Sequence, residues 1–197
     1  MAKRILIAVC IFLGTAAVLA LNWPGIRRPS EQLITRSVEI GGPFTLTDMN
    51  GNTVTDAVLK GHYSLLYFGF TRCPDVCPLA LQKITEALNT AGPTADTVVP
   101  VFITVDPEHD TPEVMKAYLA NFHPRFLGLT GTPDAVKQAE NDYRVYASKT
   151  TTENGDSVAH GDFIYFLDTE GKYVAQFPNN VAANDIALRL RHALEPQ

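Results

Sequence analysis

Apolar and polar positions change their period several times along the chain, and each change marks an element. From Ile5 to Trp23 the residues are uncharged and mostly apolar, nineteen in a row. As a helix that run rises about 28 Å, close to the roughly 30 Å hydrocarbon core of a bilayer. Residues 24–40 lose the pattern and read as a linker. "GGPFTLTDMNGNTVTDAVLKG" then alternates apolar and polar positions around Asn50-Gly51, a hairpin turn pair. "YSLLYFGF", Tyr63 to Phe70, is apolar almost throughout and predicts a strand covered on both faces, as central parallel strands are.

Helical spacing follows. Leu79, Ile84 and Leu88 predict a helix that starts at Pro78 and stops at Gly92, proline first and glycine last. "TVVPVFITVD" is a second buried strand, ending at Asp106. "DTPEVMKAYLANFHP" predicts a helix capped by Thr111, with Pro112 at its first position. "FLGLTG" is a short strand, and "TPDAVKQAENDYRVYA" a helix opened by Thr132-Pro133. "TTENGDSVAHG" reads as a polar, glycine-bearing loop. Phe163–Leu167 and Tyr173–Phe177 form a hairpin turned by Asp168 to Gly171, and "NDIALRLRHAL" closes the chain as an amphipathic helix. The order strand–helix–strand–helix–strand–strand–helix is that of a thioredoxin-like α/β layer. It carries an added N-terminal β-hairpin and an insertion, from about 125 to 156, before the last hairpin.

Composition narrows the function classes. The 197 residues, 46% hydrophobic and 19% charged, suit one ordinary folded domain with an extra segment. A net charge of −5, with no basic cluster longer than Arg27-Arg28, excludes a nucleic acid as the main partner. Lys3 and Arg4 precede the first apolar run, which is therefore read as a transmembrane anchor over 1–23 rather than a signal peptide cleaved after "VLA". The anchor is preferred because the run is longer than a usual signal core. On either reading the domain 41–197 is expected outside the cytoplasm.

Three cysteines are too few for a disulfide framework. Cys10 lies in the apolar run, whereas Cys73 and Cys77 sit in "GFTRCPDVCPLAL", just past the end of a central strand, where open α/β sheets place their sites. On one helical turn, residues four apart share a face with Cα atoms about 6 Å apart, inside the range a disulfide tolerates. Cys77 also sits near the N-cap of the helix that Pro78 opens, where the positive helix end favours thiolate over thiol. A structural staple, a redox pair and a metal claw all remain open. A staple closing so short a loop would contribute little. Against a thioredoxin-type enzyme, the spacing is Cys-x-x-x-Cys, and "SVAHGDFIYF" has no proline before the last hairpin. That stretch carries His160 instead. Two thiolates and an imidazole suit copper better than hard cations, while zinc would want a fourth ligand. His62, His123 and His192 lack this context, and His109 is expected at the rim rather than as a ligand.

With these residues in view, the chain closely resembles the Sco/SenC family of copper-binding assembly factors for cytochrome c oxidase. The matching blocks are "GGPFTLTDMNG", "YFGFTRCPDVCP", "VFITVDPEHDTPEVMKAYLANFHPRFLGLTGTP", "YRVY" and the run from His160 through "FIYFLD" to "GKY". The resemblance implies a membrane-anchored thioredoxin-like domain facing the periplasm or the mitochondrial intermembrane space. It implies that Cys73, Cys77 and His160 bind one copper, Cu(I) or Cu(II), destined for the binuclear centre of oxidase subunit II. It also implies that the cysteines can act as a dithiol reductant toward that partner, with another copper chaperone or a thiol reductant as further partners. A copper or redox sensor is a third reading. Asp75 is expected to tune thiolate chemistry or partner docking, and Asp106 with Pro107 to shape the loop beside the site. Two departures stand out. The family usually has Asp before the ligand histidine and Ser after it, where this chain has Ala159 and Gly161; and His109 replaces a common arginine.

Overall fold

Strand β3 (Ser64–Gly69) is buried at every position, which is why its sequence shows no alternation. The computed structural model describes residues 39–152 and 155–195, with side chains placed over 39–146 and 161–195. On one side β3 pairs in parallel with β4 (Val99–Thr104), Tyr67 opposite Phe102. On the other it pairs antiparallel with β8 (Phe163–Leu167), Tyr67 opposite Ile164. The remaining strands of this sheet are β1 (Thr45–Asp48), β2 (Thr53–Thr55), β5 (Leu127–Thr130) and β9 (Tyr173–Pro178), and the order is β2-β1-β5-β4-β3-β8-β9. The N-terminal hairpin is thus no appendage: β1 pairs antiparallel with β5 and extends the sheet. Its turn forms as expected, with Gly51 at φ +82° and the Asp48 carboxylate accepting from the N–H groups of Asn50 and Asn52.

Helices α1 (Val76–Ala91), α2 (Pro112–Leu119), α3 (Pro133–Asp142) and α4 (Ala183–Leu194) follow the expected order. Thr111 and Thr132 cap α2 and α3, accepting from Val114 N and Ala135 N at 3.3 Å each. Gly92 ends α1 at φ +72°. Boundaries differ: α2 ends at Leu119 and α3 at Asp142, short of the stretches "ANFHP" and "YRVYA" expected to continue them. Helix α1 begins at Val76, two residues ahead of Pro78, because first-turn positions need no N–H of their own and a proline at the third is tolerated. Cys77 is therefore inside the first turn.

The segment read as a polar loop is a two-stranded antiparallel ribbon, β6 (Ala147–Thr152) with β7 (Gly155–His160), running from Ala147 opposite His160 to Thr152 opposite Gly155. β-Branched Thr150–Thr152 favours strand. On one face of the central sheet Tyr67 and Phe102 stack at 6.3 Å, and Tyr118 of α2 packs on Phe102 at 6.0 Å. On the other face Phe68 meets Tyr143 and Tyr165. Among the described residues no helix is long and apolar enough to cross a membrane. The anchor, the linker up to Val38 and Cys10 lie outside them.

Candidate metal centre

The chain leaves β3 at Gly69 and reaches the first thiol through Phe70, Thr71 and Arg72. Cys73 N–H donates to Phe70 O at 3.2 Å, closing a turn. That turn delivers Cys73 to the N-terminal end of α1, where its sulfur accepts the Cys77 N–H at 3.4 Å. So the sulfur facing the positive helix end is that of Cys73. Cys77 points inward and is fully buried, while Cys73 is half-buried, and neither is in a disulfide. Cys77 was expected to favour thiolate. Instead its hydrogen bond with Cys73, and then its burial, push the Cys77 thiol well above its ordinary value. The expectation misassigned the sulfurs: a first-turn residue turned toward the sheet gains desolvation instead of the helix end.

Gly69 makes this inward position possible. A methyl group there would lie 2.9 Å from Cys77 Sγ, 2.8 Å from Phe102 Cε2 and 2.9 Å from Tyr67 Cε1. Tyr67 forms the floor. Its hydroxyl lies 4.0 Å from Cys77 Sγ and donates to Asp162 Oδ1 at 3.1 Å. Tyr118 contributes a second buried hydroxyl on the same aromatic wall. Burial raises that phenol, and the charges of Cys77, Cys73 and Asp110 add to the effect.

The cysteine turn is tied to β4 through Asp110, which is fully buried. Its Oδ2 accepts from Thr71 N at 3.0 Å and from Thr104 Oγ1 at 2.6 Å, and its Oδ1 accepts from Thr71 Oγ1 at 2.5 Å. Asp106 shapes the neighbouring loop, as expected, and also joins the rim. It is itself buried, with Arg72 Nη2 at 2.8 Å and His109 Nδ1 at 3.0 Å. Burial raises the Asp106 carboxyl, but the hydrogen bonds from Arg72 and His109 outweigh it and hold the group below its ordinary range. His109 thus faces Asp106 at the rim. Asp75 is the residue before α1, exposed, with no capping bond from its side chain.

His160 is the last residue of β7. Its side chain lies outside the described residues, among which no three His, Cys, Asp or Glu converge as a metal set. The backbone bounds its position. Gly161 N–H donates to Tyr146 O at 2.8 Å, continuing the ribbon, and Asp162 reaches Tyr67 beneath Cys77. Two residues of chain span at most about 7 Å, so the end of β7 lies within about that distance of Asp162. Two soft sulfurs, one buried and one at the rim, are donors suited to a soft ion.

Sequence reasoning did not single out Tyr67, Gly69, Arg72, Thr71 or Asp110. The one available signal was Asp110 within "DPEHDTP", four residues past Asp106 on a loop that a parallel sheet brings beside the cysteine turn.

A family model described as SCO1/SenC matches residues 34–195. The SCO2-like protein RP587 of Rickettsia prowazekii is 38% identical over 192 residues, 93% of each chain. The structure of Bradyrhizobium japonicum ScoI with copper bound is similar at a TM-score of 0.73 and 44% identity, over 78% of this chain and 99% of that one. Yeast Sco1 with copper bound is similar at 0.72 and 41%, over 81% and 91%.

Proposed function

The chain belongs to the SCO1/SenC family, and from that membership and its paired thiols we propose that it is a copper metallochaperone of cytochrome c oxidase assembly. In this reading Cys73, Cys77 and His160 bind one copper, which passes to the binuclear copper centre of oxidase subunit II. The N-terminal apolar run anchors the domain, which works in the periplasm or its mitochondrial equivalent. The observation that carries the reading is the placement of two thiols, neither in a disulfide, at the mouth of α1, over a tyrosine whose hydroxyl bonds Asp162, two residues past His160. The copper-bound states of the similar ScoI and Sco1 proteins support the choice of ion.

Anaerobic titration of the reduced protein against a competing Cu(I) chelator is expected to saturate at one copper per chain. X-ray absorption is expected to find sulfur and nitrogen neighbours, with the nitrogen lost in His160→Ala. A His160→Ala protein with the wild-type affinity and spectrum would overturn the ligand set.

The unequal exposure of the thiols also favours a second reading, a dithiol reductant acting on the oxidase cysteines. An accessible Cys73 can attack a partner's disulfide while buried Cys77 resolves the mixed disulfide. His160→Ala separates the two roles: it spares thiol–disulfide exchange and damages copper transfer.

A further inference from the structure

Tyr67 is the residue through which the two halves of the site meet. Its ring is fixed: fully buried and stacked on Phe102. Its hydroxyl meets both the buried thiol, at 4.0 Å from Cys77 Sγ, and the segment after the ribbon, donating to Asp162 Oδ1 at 3.1 Å. Asp162 lies two residues past the end of β7 and one before β8. The β6–β7 ribbon is a sheet of its own, with no strand of the main sheet paired to it. An isolated two-stranded ribbon is marginal in water, so whatever fixes its base decides where His160 sits. β8 fixes the chain from Phe163 onward, and the hydrogen bond from Tyr67 to Asp162 adds a side-chain anchor between β8 and β7.

We propose that Tyr67 and Asp162 act together as a positioning pair, holding the base of the His160 strand in register with Cys77. Resting on the ligand set proposed above, this gives Asp162 the work of the carboxylate that Ala159 cannot supply. It acts on the strand's position, through Tyr67, and does not touch the ion. The donation is directional: the phenol O–H gives its proton to the carboxylate oxygen, and a partly buried site with a charged acceptor strengthens that bond. Phenylalanine at 67 keeps the stacking and loses the donor. Asparagine at 162 keeps an acceptor oxygen, and alanine removes it.

The test uses the full reduced chain and Cu(I) itself, with two readouts. Copper affinity is measured by chelator competition in wild type, His160→Ala, Tyr67→Phe, Asp162→Ala, Asp162→Asn and the Tyr67→Phe/Asp162→Ala double variant. Amide hydrogen exchange over residues 155–163 is followed without metal, with β3 and β4 amides as the folding control. Tyr67→Phe and Asp162→Ala are each expected to weaken copper binding about ten- to a hundredfold, the usual range for residues that support a ligand. Each should also speed exchange at the base of the ribbon, and the double variant should lose no more than either single one. Asp162→Asn should stay within about threefold of wild type, a rescue that general loss of packing would not give. Wild-type affinity and exchange in both single variants, beside a weakened His160→Ala, would overturn the pair and leave the ligand set standing. Fully additive losses would also overturn it. An unaffected His160→Ala would instead sink the ligand set, and with it the purpose assigned to the pair. Should Tyr67→Phe fail the β3–β4 control, the contrast between Asp162→Ala and Asp162→Asn decides.

Discussion

Gly69→Ala is the sharpest probe of how the fold makes room for its inner thiol. The added methyl would meet three groups at once: Phe102 Cε2 at 2.8 Å, Cys77 Sγ at 2.9 Å and Tyr67 Cε1 at 2.9 Å. Ordinary contacts begin near 3.4 Å, so each wall must give by about half an ångström. None has free space behind it, since Tyr67, Phe102 and Cys77 are all fully buried and the two rings are stacked on each other. Overpacking of this kind costs about 1–3 kcal/mol. The alanine recovers about 0.5–1 kcal/mol by restricting the unfolded chain. The net loss lies between about 0 and 2.5 kcal/mol, which for a domain of this size lowers Tm by up to about 10 °C. The cheapest adjustment is a shift of Cys77 away from β3, which displaces its sulfur from Tyr67. Thermal unfolding of the reduced protein, together with the rate at which Cys77 reacts with a small alkylating agent, reads both effects: lower Tm and faster modification. Gly131→Ala is the comparison, since its nearest contact is the flexible end of Leu46 at 3.1 Å, and it should cost less than about 1 kcal/mol. A Gly69→Ala protein with wild-type Tm and a Cys77 still slow to react would refute the claim that this glycine seats the thiol.

Asp110→Ala strips the acceptor from Thr71 N–H and from the hydroxyls of Thr71 and Thr104; urea unfolding is expected to show a loss of about 2–4 kcal/mol, and Asp110→Asn, which can re-form part of the set, a smaller one. Alkylation mapped by mass spectrometry is expected to label half-buried Cys73 before fully buried Cys77, and equal rates would contradict the geometry. The Cys77 thiol and the phenols of Tyr67, Tyr118 and Tyr143 are all raised in the folded state, chiefly by the Cys73 hydrogen bond for the thiol and by burial for the phenols; their contribution is complete below the unfolded values and is lost as pH rises, so reduced-state stability should fall above about pH 9. Asp106 has the opposite sign. Its folded value is depressed, so its contribution is present above the ordinary carboxylate range and lost as pH falls through the acid region below it. Asp106→Asn should flatten the acid limb of the stability curve there.

Much of the fold was written in period and punctuation. The continuous apolar run at Ser64–Gly69, the Asn50-Gly51 turn and the Thr-Pro openings of α2 and α3 are local signals whose physics acts within a few residues, and each marked its element. Two features were misread for the opposite reason. Pro78 looked like a helix start because a proline is welcome anywhere in the first turn, so it bounds the start without fixing it. The stretch from Thr151 to Gly161 reads as loop because it is mostly polar and lacks the alternation of apolar and polar positions by which strands are found, yet it supplies the end of β6 and all of β7. The cysteines were legible as a pair from spacing alone. Their inequality was not: which sulfur faces the helix end and which is buried depends on Gly69, Tyr67 and Phe102, brought together by the parallel register of β3 and β4. Asp110 was invisible in the same way, since a lone carboxylate becomes a structural tie only once the neighbouring strand end supplies Thr71 and Thr104.

That inequality bears on how a carrier could both hold and release its cargo. Cys77 is walled by Gly69, Tyr67 and Phe102, so it is the donor least able to move. Cys73 stands at the rim beside Arg72, on a turn tied down from behind by Asp110. His160 ends a ribbon that is separate from the main sheet. Under the proposed function, a partner's sulfur approaching from solvent meets half-buried Cys73 before walled Cys77. Ligands can then be exchanged one at a time without the ion ever being released to water. The order follows from burial alone, and a pair of equally exposed or equally buried thiols would not impose it. The four-residue spacing supports this division, because one turn of helix can place its first sulfur outside the helix mouth and its second against the sheet.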